Sequence, residues 1–144
     1  MEPIVDHVQI TVKDMGVAVP FYDRLMPLLG FDISRRVEAT IAPHELHVVE
    51  YSHPLLAFAI GSPRAAFAGE TVCRRKPGAL HHLAFKAHSR AEVDRLHGRL
   101  VEIGATIVAT PRPYPEYGAA YYAVFFKDPD GIKYEIVCTA PEEE

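Results

Sequence analysis

Histidines stand at matching places in two stretches of this chain that share one pattern. Residues 4–14 read Ile-Val-Asp-His-Val-Gln-Ile-Thr-Val-Lys-Asp, and residues 80–89 read Leu-His-His-Leu-Ala-Phe-Lys-Ala-His-Ser. With His7 laid over His82, Val8, Ile10 and Val12 fall over Leu83, Phe85 and Ala87, while Gln9 and Thr11 fall over Ala84 and Lys86. A carboxylate, Glu135, stands in the last apolar run of the chain. Two neutral imidazoles and one carboxylate form a 2-His-1-carboxylate ligand set, which leaves positions on a divalent ion open for substrate or oxygen. Fe, Mn, Zn, Co and Ni all suit such ligands, and the sequence does not choose among them. Each residue alone has an ordinary alternative, a hydrogen-bonded histidine or a solvated glutamate; their equivalent places in a repeat single them out.

The elements that must carry these residues repeat as well. Residues 4–12 alternate, with Ile4, Val8, Ile10 and Val12 on one side and His7, Gln9 and Thr11 on the other, as in a strand with one face on a core. Asp14 is a helix N-cap, Val17, Phe21, Leu25 and Leu28 recur at helical spacing, and Gly30 ends the helix. Pro20 falls in or near the first turn. Strand-like runs follow at 31–40, 44–51 and 55–61, divided by Ala42-Pro43 and His53-Pro54. The second copy has a strand at 80–87 and a helix capped by Ser89 with Glu92 as the capping-box partner. Gly104 closes that helix, and strands at 105–110, 119–127 and 132–139 complete the copy. Asp128-Pro129-Asp130-Gly131 is the turn between the last two strands.

The order is βαβββ, twice. The expected fold class is α+β: two tandem βαβββ modules forming a cupped mixed sheet around a central cavity. One domain over residues 1–144 would comprise module one (4–61), a Gly/Pro-rich linker (62–78), module two (79–139) and an acidic tail (140–144). One helix per module covers one sheet face, so the opposite face must line a cavity or bury something else.

Alternation selects the residues that look away from the helices. It puts His7 and His82 on that face, together with Glu135 and Val137, and puts Tyr134, Ile136 and Cys138 on the helix side. The corresponding position in module one is read as Ala57. Glu45 and His47 share a strand face; turned inward, either could serve as a general base, and turned outward they belong to a polar edge strand. Tyr114, Tyr117, Tyr121 and Tyr122 cluster among Pro111, Pro113, Pro115 and Gly118, a stiff loop suited to a rim or lid, or else to ordinary packing. Tyr122 is the one expected to reach a ligand. His81 should turn away from the metal, and His53, His88 and His97 should lie on the surface.

Composition narrows the class. The net charge of −4 and a pI near 6 argue against a nucleic-acid surface. The one local basic cluster, Arg74-Arg75-Lys76, reads as exposed linker. No run approaches the ~20 apolar residues that cross a bilayer, and no leader pattern precedes the first strand. Cys73 and Cys138 form no framework and read as free thiols in a reducing cytoplasm.

The sequence resembles the vicinal oxygen chelate superfamily, also called the glyoxalase/bleomycin resistance/dioxygenase family. The matching pieces are Asp6 to Val12, Phe21-Tyr22 through Leu29-Gly30-Phe31, His82 to Phe85, and above all Phe125-Phe126-Lys127-Asp128-Pro129-Asp130-Gly131-Ile132-Lys133-Tyr134-Glu135-Ile136-Val137. The resemblance implies paired βαβββ modules around one divalent metal ion held by His7, His82 and Glu135, a small oxygen-rich substrate chelated by that ion, and a homodimer. It implies an enzyme, a lyase, an isomerase or an extradiol-type dioxygenase; the alternative is non-catalytic capture of a drug or other small molecule. Ala57 departs from the fourth ligand that glyoxalase I-like members carry. Phe125 falls where ring-cleaving members show a tyrosine, and nothing beyond Glu135 matches the basic residues of fosfomycin-modifying members. No partner beyond a small molecule and a second copy is implied: neither nucleic acid nor membrane.

Overall fold

A computed structural model describes residues 1–142. It divides into two compact units, Met1–Thr71 and Val72–Glu144. Each contains one helix and one four-stranded mixed sheet, so the fold is α+β with the expected βαβββ order in both copies. Of the acidic tail, Glu143 and Glu144 lie outside the described residues; Glu142 pairs with Arg90 at 2.5 Å.

The first unit contains strand β1 (His7–Thr11), helix α1 (Met15–Leu28), and strands β2 (Asp32–Ile41), β3 (Leu46–Ser52) and β4 (Ala57–Gly61). The strand order is β1-β4-β3-β2, with β1 parallel to β4. Asp14 caps α1 by accepting a hydrogen bond from the Gly16 amide at 2.7 Å. Pro20 stands in the second turn of the helix rather than the first. Val8, Phe58 and Tyr51 are register partners, and Phe58 stacks on Tyr22 of α1 at 6.0 Å between ring centres. That is the helix-covered face; His7, Gln9, Ala57 and Ala59 stand on the other. The strand is shorter than its alternation suggested, and Ile4 lies before it, 73% exposed.

The second unit repeats the plan with β5 (Leu83–Lys86), α2 (Arg90–Glu102), β6 (Thr106–Pro113), β7 (Tyr122–Lys127) and β8 (Lys133–Cys138), in the order β5-β8-β7-β6. Ser89 Oγ accepts from the Glu92 amide at 3.1 Å. The return arm of the capping box differs from expectation, because Glu92 Oε2 accepts from the His88 amide. Both helices end in the same way. Gly30 and Gly104 take positive φ, 90° and 82°, while Phe31 and Ala105 donate back to Met26 and Leu100, satisfying carbonyls that the helix leaves open. Val93, Leu96 and Leu100 of α2 are buried. No helix among the described residues is long and apolar enough to cross a membrane.

The β7–β8 hairpin fixes the side-chain positions that follow. Asp128, 2% exposed, accepts from the amides of Asp130 and Ile132 at 2.9 and 2.8 Å, and its own amide donates to the Ile132 carbonyl. Replacing Asp128 by Ala leaves one buried and one partly buried amide without that acceptor, at a cost of about 1–3 kcal/mol. Urea unfolding should show this loss, with a much smaller one for Asp128→Asn. Equal effects of the two substitutions would contradict the assigned role.

Candidate functional site

Glu135 sits on β8 between β5 and β7, opposite Ala84 on one side and Phe125 on the other. Residues directly opposite share a face, so Glu135 stands with Val137, Ala123 and Phe125 on the face away from α2. It is 1% exposed. Burying a carboxylate costs several kcal/mol unless hydrogen bonds and charges compensate. One neighbour does so directly, and a second stands close by. The Tyr121 hydroxyl donates a short hydrogen bond to Oε1, and His82 Nε2 lies 3.3 Å from Oε2.

His82 is held from both sides. Its Nδ1 lies 2.8 Å from His81 Nδ1, so one ring must donate and the other accept. When His82 Nδ1 carries the proton, the Nε2 lone pair faces the carboxylate. The edge of the His82 ring meets Phe125 at 6.4 Å. This arrangement fits a metal. Two ligand atoms bound at about 2.1 Å to one ion lie about 3.0 Å apart at a right angle and about 3.4 Å apart at a tetrahedral angle. The observed 3.3 Å falls between those values.

His7 belongs to the first unit, where its Nδ1 lies 2.6 Å from Asp6 Oδ1. A carboxylate on one ring nitrogen fixes the tautomer and leaves Nε2 as the other donor atom. Within neither unit do three His, Cys, Asp or Glu side chains of the described residues converge closely enough to hold an ion. Of the three residues expected as ligands, Glu135 and His82 are the two that lie in one unit and come together there.

An aromatic wall borders the pair. Tyr114, Ala123, Phe125 and Val137 form a buried cluster with Tyr121 packed against it. Tyr114 meets Phe125 edge-on at 5.4 Å and stacks on Tyr117 at 5.6 Å. Arg112 covers the Tyr114 ring at 4.0 Å and Lys133 the Phe125 ring at 4.8 Å, both within cation–π range. Burial, reinforced by the Glu135 hydrogen bond, pushes the Tyr121 phenol above the ordinary tyrosine range. Desolvation first, and then the charges of His82, Arg74, Lys133 and Arg75, hold His81 below the usual imidazole range.

Four sequence expectations need correction. Tyr122 is a register partner of Cys138 and lies on the helix side, where its hydroxyl donates to Asp94 of α2 at 2.7 Å and Arg90 covers its ring; burial and Asp94 push it up to about 12. Tyr121 is the tyrosine that reaches Glu135. Parity across the hairpin could have found it: Phe125 pairs with Glu135 and Ala123 with Val137, so odd-numbered residues face the carboxylate. Glu45 does not share a strand face with His47. It occupies a left-handed position after a short 3₁₀ turn and pairs with Arg64 at 2.6 Å. His47 bonds Glu38 at 2.7 Å and Thr40 at 3.0 Å, and alternation along β3 puts it on the helix-covered face with Val49 and Tyr51. The module-one counterpart of Glu135 is Ala59 rather than Ala57: His7 pairs with Ala57 and Gln9 with Ala59, whereas Glu135 pairs with Ala84, two residues beyond His82. Ala59 is buried and offers no ligand atom either.

Comparison with known proteins agrees with this architecture. A family model described as the Glyoxalase/Bleomycin resistance protein/Dioxygenase superfamily matches residues 4–136. The uncharacterized protein YqjT of Bacillus subtilis is 27% identical over 135 residues, covering 91% of this chain and 95% of its own. The crystal structure of a candidate glyoxalase from Bacillus halodurans superposes with a TM-score of 0.74 at 30% identity, covering 95% of this chain and 96% of that one. A glyoxylase/bleomycin resistance protein/dioxygenase domain from Frankia shares the fold at 22% identity, with a TM-score of 0.72 and coverage of 92% and 94%.

The Tyr121–Glu135 contact has a signature at alkaline pH. The folded state keeps the Tyr121 proton above the ordinary tyrosine value of about 10, whereas the unfolded chain releases it there. Its contribution to stability is therefore full below about pH 10 and lost as pH rises beyond it. Tyr121→Phe should remove one late-titrating phenol from the absorbance titration at 295 nm and make the alkaline fall in urea stability shallower. An unchanged titration curve, apart from one fewer ordinary tyrosine, would contradict the contact.

Proposed function

The chain belongs to the Glyoxalase/Bleomycin resistance protein/Dioxygenase superfamily, and on that premise we propose that it is a metal-dependent enzyme acting on a small, oxygen-rich substrate. His82 and Glu135 would hold one divalent ion, with His7 as the third ligand carried over from the family motif. Iron, manganese, zinc, cobalt and nickel are all compatible with that set. The observation that carries the reading is the pairing of a buried carboxylate with an imidazole nitrogen at a ligand-to-ligand distance. Bound there, the ion would supply Lewis acidity and hold two substrate oxygens in a fixed orientation.

The chain's own residues prepare that chemistry. Tyr121 holds one oxygen of Glu135 and thereby aims the other towards His82. His81 fixes the rotation of the His82 ring through its Nδ1. Phe125, Tyr114, Ala123 and Val137 keep water from the Glu135 side of the sheet, which strengthens every charge interaction made there. With its proton held tightly, Tyr121 acts as a hydrogen-bond donor near neutral pH and not as a base. Lyase, isomerase and extradiol-type oxygenase reactions all use such a site, and a homodimer belongs to the same reading.

One observation favours a second reading, capture of a small molecule without reaction. Tyr117 is 63% exposed and stacked flat on Tyr114, a surface on which a planar drug could lie. Metal analysis separates the two. Protein purified without chelator or nickel resin, then reconstituted with each candidate metal, should retain about one ion per chain. His82→Ala should lose nearly all of it, and Glu135→Gln most of it. Stoichiometric metal in the His82 variant would overturn the ligand assignment, and a wild-type protein that keeps none of the five metals would favour capture.

A further inference from the structure

The two sheets end on β1 and β2 and on β5 and β6. A free strand edge offers N–H and C=O groups to any other strand, and folds blunt such edges with prolines, bulges, polar side chains or shortness. β6 carries Pro111 and Pro113 and two shifts of register. β5 is four residues long, and β1 shows His7, Gln9 and Thr11 on its exposed face. β2 is different. It is ten residues long and contains no proline. Its register with β3 shifts between Asp32 and Val37, but residues 37–41 pair without interruption.

The open side of that run follows from its neighbours. The Ser62 amide donates to the His47 carbonyl, so the backbone groups of His47 point to β4. Those of Val48 point the opposite way, to β2, because direction alternates along a strand. Val48 pairs with Ala39, which leaves the N–H and C=O of Glu38 and Thr40 directed outward. Among the described residues, neither one bonds through its backbone to a residue outside the sheet. On the face away from α1 the side chains are apolar: Val37, Ala39 and Ile41. Val37 is 58% and Ile41 39% exposed, and Val48 and Leu46, opposite Ala39 and Ile41 on β3, continue the patch. Exposed apolar surface along an open edge marks a place of association.

The run complements itself, as a contact between identical copies about a two-fold axis requires. Antiparallel pairing about Ala39 sets Val37 opposite the partner's Ile41, Ala39 opposite the partner's Ala39, and Glu38 opposite the partner's Thr40. The outward backbone groups of Glu38 and Thr40 then meet as hydrogen-bonded pairs. The Thr40 hydroxyl can donate to the carboxylate that faces it, and no like charges oppose each other. Neighbouring registers fit less well. Pairing about Glu38 sets two carboxylates face to face, and pairing about Val37 draws the irregular stretch before it into the ladder.

We propose that two copies of the chain pair through residues 37–41 of β2, joining their first-unit sheets edge to edge. This assigns a surface to the homodimer of the reading given above and rests on that part of it alone, so it is tested on the full chain without metal. In a Cys73→Ser background, which removes the exposed thiol, Ala39→Cys stands on the two-fold axis. Cα atoms across a non-hydrogen-bonded pair lie about 4.5 Å apart, within disulfide range. Mild oxidation should convert that variant into a covalent dimer on a non-reducing gel, whereas Val37→Cys, which faces Ile41, should not cross-link.

Sedimentation velocity should show a concentration-dependent dimer. Val37→Lys should raise its dissociation constant roughly thirtyfold or more, since the axis counts each substitution twice. Should that variant fail to fold, Thr40→Pro replaces it, because the N–H it removes points away from β3. A dimer in which Ala39→Cys does not cross-link, or which survives these substitutions with its dissociation constant unchanged, overturns the surface and leaves the homodimer standing. A wild-type chain that stays monomeric at every concentration tested overturns both.

Discussion

A carboxylate in the middle of a sheet is the constraint around which the second unit is arranged. Glu135 is almost wholly removed from water on a central strand, where a bare charge would be prohibitively costly. Its neighbours are accordingly specific: small Ala84 on one flank, the Phe125 ring on the other, a tyrosine hydroxyl on one oxygen and an imidazole near the second. An apolar residue would suit that strand position better for stability alone. Buried charges are expensive and their partners must be supplied together, which marks Glu135 as a candidate functional residue.

Local chemistry in the chain delivers this arrangement. Asp128 and Gly131 close the hairpin, and the hairpin sets which residues of β7 oppose which residues of β8. A slip of one residue would exchange Tyr121 and Phe125 for Tyr122 and Phe126, and would leave Glu135 against the helix-side aromatics. The same register arrays Lys127 and Lys133 beyond Glu135 and the tyrosines before it. One turn thus orders a face from cationic through ligand-like to aromatic.

Much of this was legible in the sequence because its signals are local and repeated. Alternation in 4–12 and 80–87, Asp14 and Ser89 as caps, and Gly30 and Gly104 as stops gave both modules in the right order, with strand ends displaced by at most three residues. Glu135 and His82 were singled out by pattern, and the structure brings them together. Details that depend on non-local register were less visible. Ala59 replaces Ala57 because β1 and β4 pair through a parallel crossover that no adjacent turn specifies. Tyr121 replaces Tyr122 although the hairpin held the information, since its parity had to be counted from Glu135 through the turn. Glu45 left its strand because the residues around Pro43 close a 3₁₀ turn, which a period-two reading cannot register.

The most direct test of the central claim is metal-edge X-ray absorption on protein loaded with zinc or iron. An ion held by His82 and Glu135 would show a shell of nitrogen and oxygen atoms at about 2.0–2.2 Å, with the outer-shell scattering of imidazole rings, and loss of imidazole signal in the His82→Ala protein. A shell of water oxygens alone, or one containing sulfur from Cys73 or Cys138, would contradict it.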